Sequence, residues 1–418
     1  MRVNRKQWSL NLVAIAACAG AALPLVAGIA QASPQAVQAV APSVALTLFA
    51  GPPPMAPGTT MLATNPDDIT RLDDLVYVSF QNNAAADGTP AGSFSTLAAY
   101  QADTGALVTT YQLSGRCDGL TADPLHHRLL ASVNEDNNSS LFVITPGATP
   151  VHYTYSPNPA QTGSDGTNGG TDAISITPDG TIYVAHSNPD LSLPAPNNTA
   201  AVYTMTLTGT TATLTPLFGV NDTATVINPP PGTPATAPLG LTDPDSNRFL
   251  ARSGGTLIQD SQADSKLVLA TNLHAPTPTL RQLLLTNAAP TSSGASATPQ
   301  LDDLTRVAGP GRLLVVDQAG NAIYSLNTSA LAPGTVFVSQ PAPKSGDLPN
   351  DPALGTLNLT TGVVTHLNTP LASPKGLLFL PINQTFTDAL LATQDTLDQA
   401  LSQLQTTLNQ ITLPPVGF

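Results

Sequence analysis

Charge is scarce in this sequence. Of its 418 residues only 10% are Asp, Glu, Lys or Arg, against about 25% in an ordinary domain. Glutamate is nearly absent, Glu135 being the only one. Asp serves turns and caps, whereas Glu serves helix surfaces, so this bias speaks against a helical protein. Fourteen basic residues face 27 acidic ones, a formal net charge of −13. With no basic cluster to neutralise phosphates, nucleic acid and anionic membrane surfaces are excluded as partners. Two cysteines, Cys18 and Cys117, cannot build a disulfide framework or a cysteine-based zinc site. Also missing are a Gly-x-Ser-x-Gly elbow, a Gly-Lys-Ser/Thr phosphate loop and a His-Glu-x-x-His pair, so no strong catalytic signature is present.

What the chain does have is 40 Pro, 31 Gly and 41% apolar residues. That combination describes a core-forming protein of many short strands joined by turns, the all-β pattern. Residues 1–32 read as a secretory signal. Arg2, Arg5 and Lys6 open it, an apolar run follows from Leu10 to Ile29, and Ala30-Gln31-Ala32 supplies the small-x-small cleavage pattern. Ile15-Ala16-Ala17-Cys18 offers a rival reading, a lipobox that would leave Cys18 as a lipid-anchored N-terminus. Either reading places the protein outside the cytoplasm, in the periplasm or the medium.

After a Pro/Ala-rich lead-in over residues 33–60, which holds one strand-like run from Val44 to Phe49, a repeat fills residues 61–382. Asp67-Asp68-Ile69-Thr70-Arg71 followed by Leu75-Val76-Tyr77-Val78 parallels Asp302-Asp303-Leu304-Thr305-Arg306 followed by Leu313-Leu314-Val315-Val316. Asp172-Ala173-Ile174 through Pro178-Asp179-Gly180 to Ile182-Tyr183-Val184-Ala185 is a third member. Gly119-Leu120 to Asp123-Pro124 and then Arg128-Leu129-Leu130-Ala131 pairs with Gly240-Leu241 to Asp243-Pro244 and then Arg248-Phe249-Leu250-Ala251. Each unit reads as an Asp, a short apolar strand, a turn, a second apolar strand and an outer hairpin. Examples of the hairpin turn at Asp103-Thr104-Gly105 and Thr360-Thr361-Gly362.

Unit starts near Asp67, Asp118, Asp172, Leu239, Leu301 and Ser373 suit the four-stranded blades of a β-propeller with inserted loops. Loops are expected over residues 222–238, 286–300 and 341–352. The fold expected is an all-β propeller of six blades, with five or seven as alternatives. Lys375 to Leu380 looks like an inner strand lacking an outer hairpin, and the Val44–Phe49 run lacks a partner. Joining the two in one blade would close the ring and remove two open edges.

Two resemblances follow from these residues. Cys117-Asp118-Gly119-Leu120, Leu129-Leu130-Ala131-Ser132-Val133-Asn134 and Leu141-Phe142-Val143-Ile144 resemble the YVTN/lactonase-like propeller repeat, and Pro374-Lys375-Gly376-Leu377 resembles its start. Asp172 to Tyr183-Val184-Ala185-His186 resembles the gluconolactonase-like propellers, which hold a divalent metal at the channel mouth with Glu, Asn and Asp. The resemblance implies a propeller fold. Asp172 stands where that family's Asn ligand would be, and His186 where its Asp would be.

Residues 383–418 break the repeat. Leu390, Leu397, Leu404 and Ile411 recur every seven residues with Leu401 and Leu408 between them, a heptad stripe on one helix face. Such a helix can dock on its own propeller or self-associate.

Candidate metal ligands are Asp68, Asp118, Asp172 and Asp303, which open the units and should gather at one end of the channel. Glu135, Asp165 and His186, in oxygen-rich loops, join them. Hard cations such as Ca²⁺ take carboxylate and carbonyl oxygens on Gly-permissive loops, although the same Asp residues could equally cap their own turns. Three functions are compatible with this reading: an exported propeller binding a small molecule or protein, a divalent-metal-dependent lactonase or ester hydrolase, and an envelope protein assembling through its C-terminal heptads.

Overall fold

In the computed structural model, residues 44–159, 169–191, 199–251, 255–288, 298–329, 331–343 and 351–382 are described. The segment read as a leader, with Cys18, the oxygen-rich segment with Asp165, and the segment read as heptads, with Leu390, Leu397, Leu401, Leu404, Leu408 and Ile411, lie outside the described residues.

The described residues form a β-propeller. Among the described residues its strands form six four-stranded blades. The first takes Pro66–Leu72, Leu75–Phe80, Phe94–Gln101 and Leu107–Ser114, innermost strand first. In the second are Cys117–Asp123, Arg128–Val133, Ser140–Ile144 and Val151–Ser156. Gly170–Ile176, Ile182–Ser187, Ala200–Thr208 and Thr211–Gly219 make the third. Pro244–Leu250, Thr256–Ser261, Lys266–Thr271 and Thr279–Leu284 make the fourth. Inner strands of neighbouring blades touch all the way round, the sixth against the first included.

The core is segmented. One apolar cluster fills each of the six blade-to-blade interfaces. Second strands therefore bury both faces, which explains their near-continuous apolar runs. Leu129 and Ala131 face the first blade, whereas Leu130 faces the third, following the two-residue alternation of a strand. A fully buried leucine of this kind stabilises by about 1.5–3 kcal/mol, so no blade is stable without its neighbours.

Ring closure joins the chain's two orphan strands. Leu46–Ala50 pairs antiparallel with Ala322–Asn327, which pairs through Gly311–Asp317 with Pro374–Pro381. These four strands are the sixth blade, as the lone runs at Val44–Phe49 and Lys375–Leu380 led us to expect. Arg312 of this blade lies over the Phe49 ring, 5.8 Å from its centroid, and donates to Ala102 and Asp103 carbonyls of the first blade.

The fifth blade corrects the repeat. Asp303–Arg306 does not pair with the following run Leu313–Val316. It pairs with Val336–Gln340, which continues to Ala353–Leu357 and Val363–His366. The chain thus leaves the fifth blade after one strand, supplies the middle of the sixth, and returns. The physical reason is closure: Pro374–Pro381 needs a second strand, and Gly311–Asp317 provides it. Gly311 permits that approach, since a Cβ there would meet Leu380 O at 2.4 Å. Two further differences concern the fourth blade. The expected loop over 222–238 contains a small hairpin, Thr223–Val226 with Thr236–Pro238, added in parallel to the blade's outer strand. Asp243-Pro244 is not a turn before a second strand; Pro244 opens the inner strand itself, like Pro66 and Pro374, at a strand position that tolerates a missing N–H.

Candidate functional site: an acidic mouth at one end of the channel

Five of the six inner strands carry an irregularity near one end that leaves two residues out of the pairing. A bulge interrupts pairing between Pro66 and Ile69, Cys117 and Leu120, Thr171 and Ile174, and Pro244 and Asn247, and opposite Val315 and Asp317 in the sixth blade. Aligned on these bulges, and on the matching Asp302-Asp303 pair that opens the fifth blade, the first residue is Asp67, Asp118, Asp172, Asp245, Asp302 and Lys375 round the ring. The second is Asp68, Gly119, Ala173, Ser246, Asp303 and Gly376. Bulges commonly re-aim side chains in this way.

The second positions bind the ring together. Asp68 accepts from Leu120 N of the next blade at 2.6 Å and from its own neighbour Ile69 N at 2.7 Å. Asp303 repeats this with Leu377 N at 2.7 Å and Leu304 N at 2.6 Å. Ser79 and Ser339 hydroxyls accept from the N–H groups of Asp68 and Asp303, both at 3.0 Å, and Ser132 does the same for Gly119 at 2.9 Å. Gly119 must be small, because a Cβ would lie 2.4 Å from Asp172 O. Asp68 and Asp303 are therefore engaged in holding blades to each other.

The first positions surround a cavity of about 260 Å³. Eight Asp side chains and Glu135 line it, against two cations, Arg116 and Lys375. Lys375 sits between its ring neighbours, bonded to Asp302 and 3.4 Å from Asp67. Arg116 bridges Asp118 at 3.0 Å and Glu135 at 2.9 Å. Gln81 donates to Asp118 at 2.8 Å and Gln318 to Asp67 at 3.2 Å. Below the mouth the channel continues into a space of about 200 Å³ that Asp68 and Asp303 also line. There Arg248 spans from the fourth blade to both Asp303 oxygens at 3.1 Å and to the Leu377 carbonyl at 3.2 Å.

These carboxylates are crowded and dry. Burial, then the charges of Glu135 and Asp118, hold Asp172 well above the usual carboxylate range. Asp245 is raised likewise, by burial and then by Asp172 and Asp302. Burial pushes Asp302 up to about 6 even though Lys375 opposes it. Asp68 and Asp303 are also raised, chiefly by burial. For Lys375, burial works against the charge, but Asp302 and Asp67 win and keep it protonated.

Six of the seven sequence candidates fall within the described residues. Asp68, Asp118, Glu135, Asp172 and Asp303 all line the mouth. His186 does not. It is fully buried inside the third blade, its Nδ1 2.8 Å from Ala200 O and 3.2 Å from the Tyr203 hydroxyl, and burial lowers its pKa to about 4. Among the described residues no three His, Cys, Asp or Glu side chains gather closely enough to hold a metal ion; the ring spreads its carboxylates instead. Sequence reading missed Asp243, Asp245, Arg116 and the place of Lys375. The Pro-Asp and Pro-Lys pairs at 244–245 and 374–375, matching Pro66-Asp67, were the signal for two of them.

No protein-family profile matches the chain, and no curated protein does. Solved structures similar to it include a virginiamycin B lyase from Staphylococcus aureus, at 13% identity and TM-score 0.40, over 81% of this chain and 82% of that one. A streptogramin B lyase matches at 11% identity and TM-score 0.38, over 80% and 94%. A protein from Lactobacillus plantarum matches at 12% identity and TM-score 0.39, over 78% and 90%. At these scores nothing about activity passes from them to this chain, whose propeller fold rests on its own six blades.

Proposed function

We propose that this chain is an exported binding protein whose channel mouth takes a small organic cation with more than one positive group. The observation that carries this is the ring itself: five Asp at equivalent blade positions around one cavity, with a single Lys at the sixth. Carboxylates spaced one per blade suit separated ammonium groups better than one directly ligated metal ion. Because burial and mutual repulsion raise the pKa of Asp172 and Asp245, an entering cation favours their ionised forms and draws protons off them. Its affinity should therefore rise with pH. Export is supported by the basic start, apolar run and Ala30-Gln31-Ala32 of the leader.

Calorimetric titration of the secreted protein with spermidine, in buffers of different ionisation enthalpy, tests the reading. Binding with proton release is expected, weaker by about tenfold or more, 1.4 kcal/mol, in the Asp172→Asn/Asp245→Asn variant. A metal-binding mouth would show itself as Ca²⁺ binding tighter than spermidine. No binding of either cation sinks the proposal.

A further inference from the structure

A second cavity opens on the same face of the propeller and has a different chemistry. The first blade's outermost strand ends there at Ser114, as Phe94 pairs with Ser114 and Phe80 with Pro66. The second blade's outermost strand also ends there, beyond Tyr155. Between them lies a cleft of about 410 Å³, within the range of roughly 300–1,000 Å³ usual for small-molecule sites. It backs onto the acidic mouth across the turn that begins at Asn134, for Arg116 and Glu135 face the mouth while Gly115, Asn134 and Asn138 face the cleft.

Among the described residues no Asp, Glu, Lys or Arg lines this cleft. Its walls are hydroxyls, amides, a Tyr and a His, in a protein whose neighbouring cavity is lined by eleven charged side chains. A wall without charge supplies no counter-charge to a phosphate, a carboxylate or an ammonium group, so it favours neutral ligands over those of the mouth. Asn134 and Tyr155 are fixed by the fold: Asn134 accepts from Arg116 N at 2.9 Å, and the Tyr155 hydroxyl accepts from Thr171 at 2.9 Å. Ser114, Asn138, His152 and Thr154 are exposed and make no side-chain hydrogen bond among the described residues. His152, which lines the cleft, also packs against Phe142, ring centroids 5.0 Å apart and tilted by 36°.

We infer that this cleft is a binding site for a neutral saccharide. Sugar hydroxyls both donate and accept, as the Ser, Thr and Asn side chains do, and the C–H face of a pyranose can lie on a fixed aromatic ring. The inference is independent of the cation reading, since it uses none of the mouth's carboxylates.

Calorimetry on the secreted full chain with maltotriose, cellotriose and triacetylchitotriose tests it. At least one is expected to bind. His152→Ala should weaken that binding about tenfold, and Thr154→Trp, which fills the cleft from an exposed strand position, should abolish it. Asp172→Asn/Asp245→Asn should leave it unchanged. Thermal melts matching the wild type will show that the cleft variants are folded. Failure of all three trisaccharides to bind, or binding undisturbed in both cleft variants, overturns the inference while leaving the spermidine result standing.

Discussion

Lys375 is the single cation among six equivalent ring positions, and replacing it with Met should expose what it does. The substitution keeps most of the apolar stem and removes only the charge. Lys375 is buried, bonded to Asp302 and 3.4 Å from Asp67. Its loss leaves both carboxylates buried without their shared counter-ion, a defect worth about 3–5 kcal/mol when one partner of a buried pair is removed. The cost should depend on pH in a defined direction. Asp302 has its pKa raised to about 6 by burial with Lys375 still present, and without Lys375 it rises further. At pH 5 the variant therefore protonates Asp302 and relieves the defect. Urea unfolding at pH 8 and pH 5 is the assay. The expected result is a loss of about 3 kcal/mol or more at pH 8 that shrinks by at least half at pH 5. A loss below about 1 kcal/mol at pH 8, or one equal at both values, would refute the electrostatic reasoning.

Three more outcomes follow from the same geometry. The wild type should be more stable in mild acid: the native carboxyl of Asp302 binds its proton near pH 6, and the unfolded one near 3.8. Stability from this group is then fully present below about pH 4 and is lost as pH rises through 6, a difference of about 3 kcal/mol that urea midpoints across pH 4–8 would register. Gly119→Val should destabilise by more than about 3 kcal/mol, because its side chain would meet the Asp172 carbonyl of the next blade; unchanged melting would contradict the close inter-blade contact. Cys117 is fully buried, with burial raising its thiol pKa. Mass spectrometry should find its peptide unlabelled by thiol reagents until the protein is unfolded.

The features legible in the sequence were those that act locally. Alternating apolar runs bounded by Asp, Pro and Gly gave the strands, and two orphan strands at the ends gave the closure of the ring. Asp118 and Asp172 were found because the repeat phases them. Asp68 and Asp303 stand apart from them: of each Asp-Asp pair the first is the ring's equivalent of Asp118, while the second accepts from its own neighbour's N–H and ties one blade to the next. Asp245 was hidden because Asp-Pro reads as a turn wherever it occurs, and only a neighbouring strand shows that Pro244 opens one. His186 was misplaced because a side chain at the end of a second strand can face the channel or its own blade, and pairing with Ala200 and Tyr203 decides the latter. The interleaving of the fifth and sixth blades left no local mark, since Leu313–Val316 is an apolar strand whichever inner strand it joins.

On this proposal the acidic mouth is a site for an organic cation. A crystal structure of the protein grown with spermidine tests it most directly. An extended ligand is expected in the mouth, with ammonium nitrogens within hydrogen-bond distance of Asp172 and Asp245. Ligand bound only at the outer surface, with the mouth holding water alone, would contradict it.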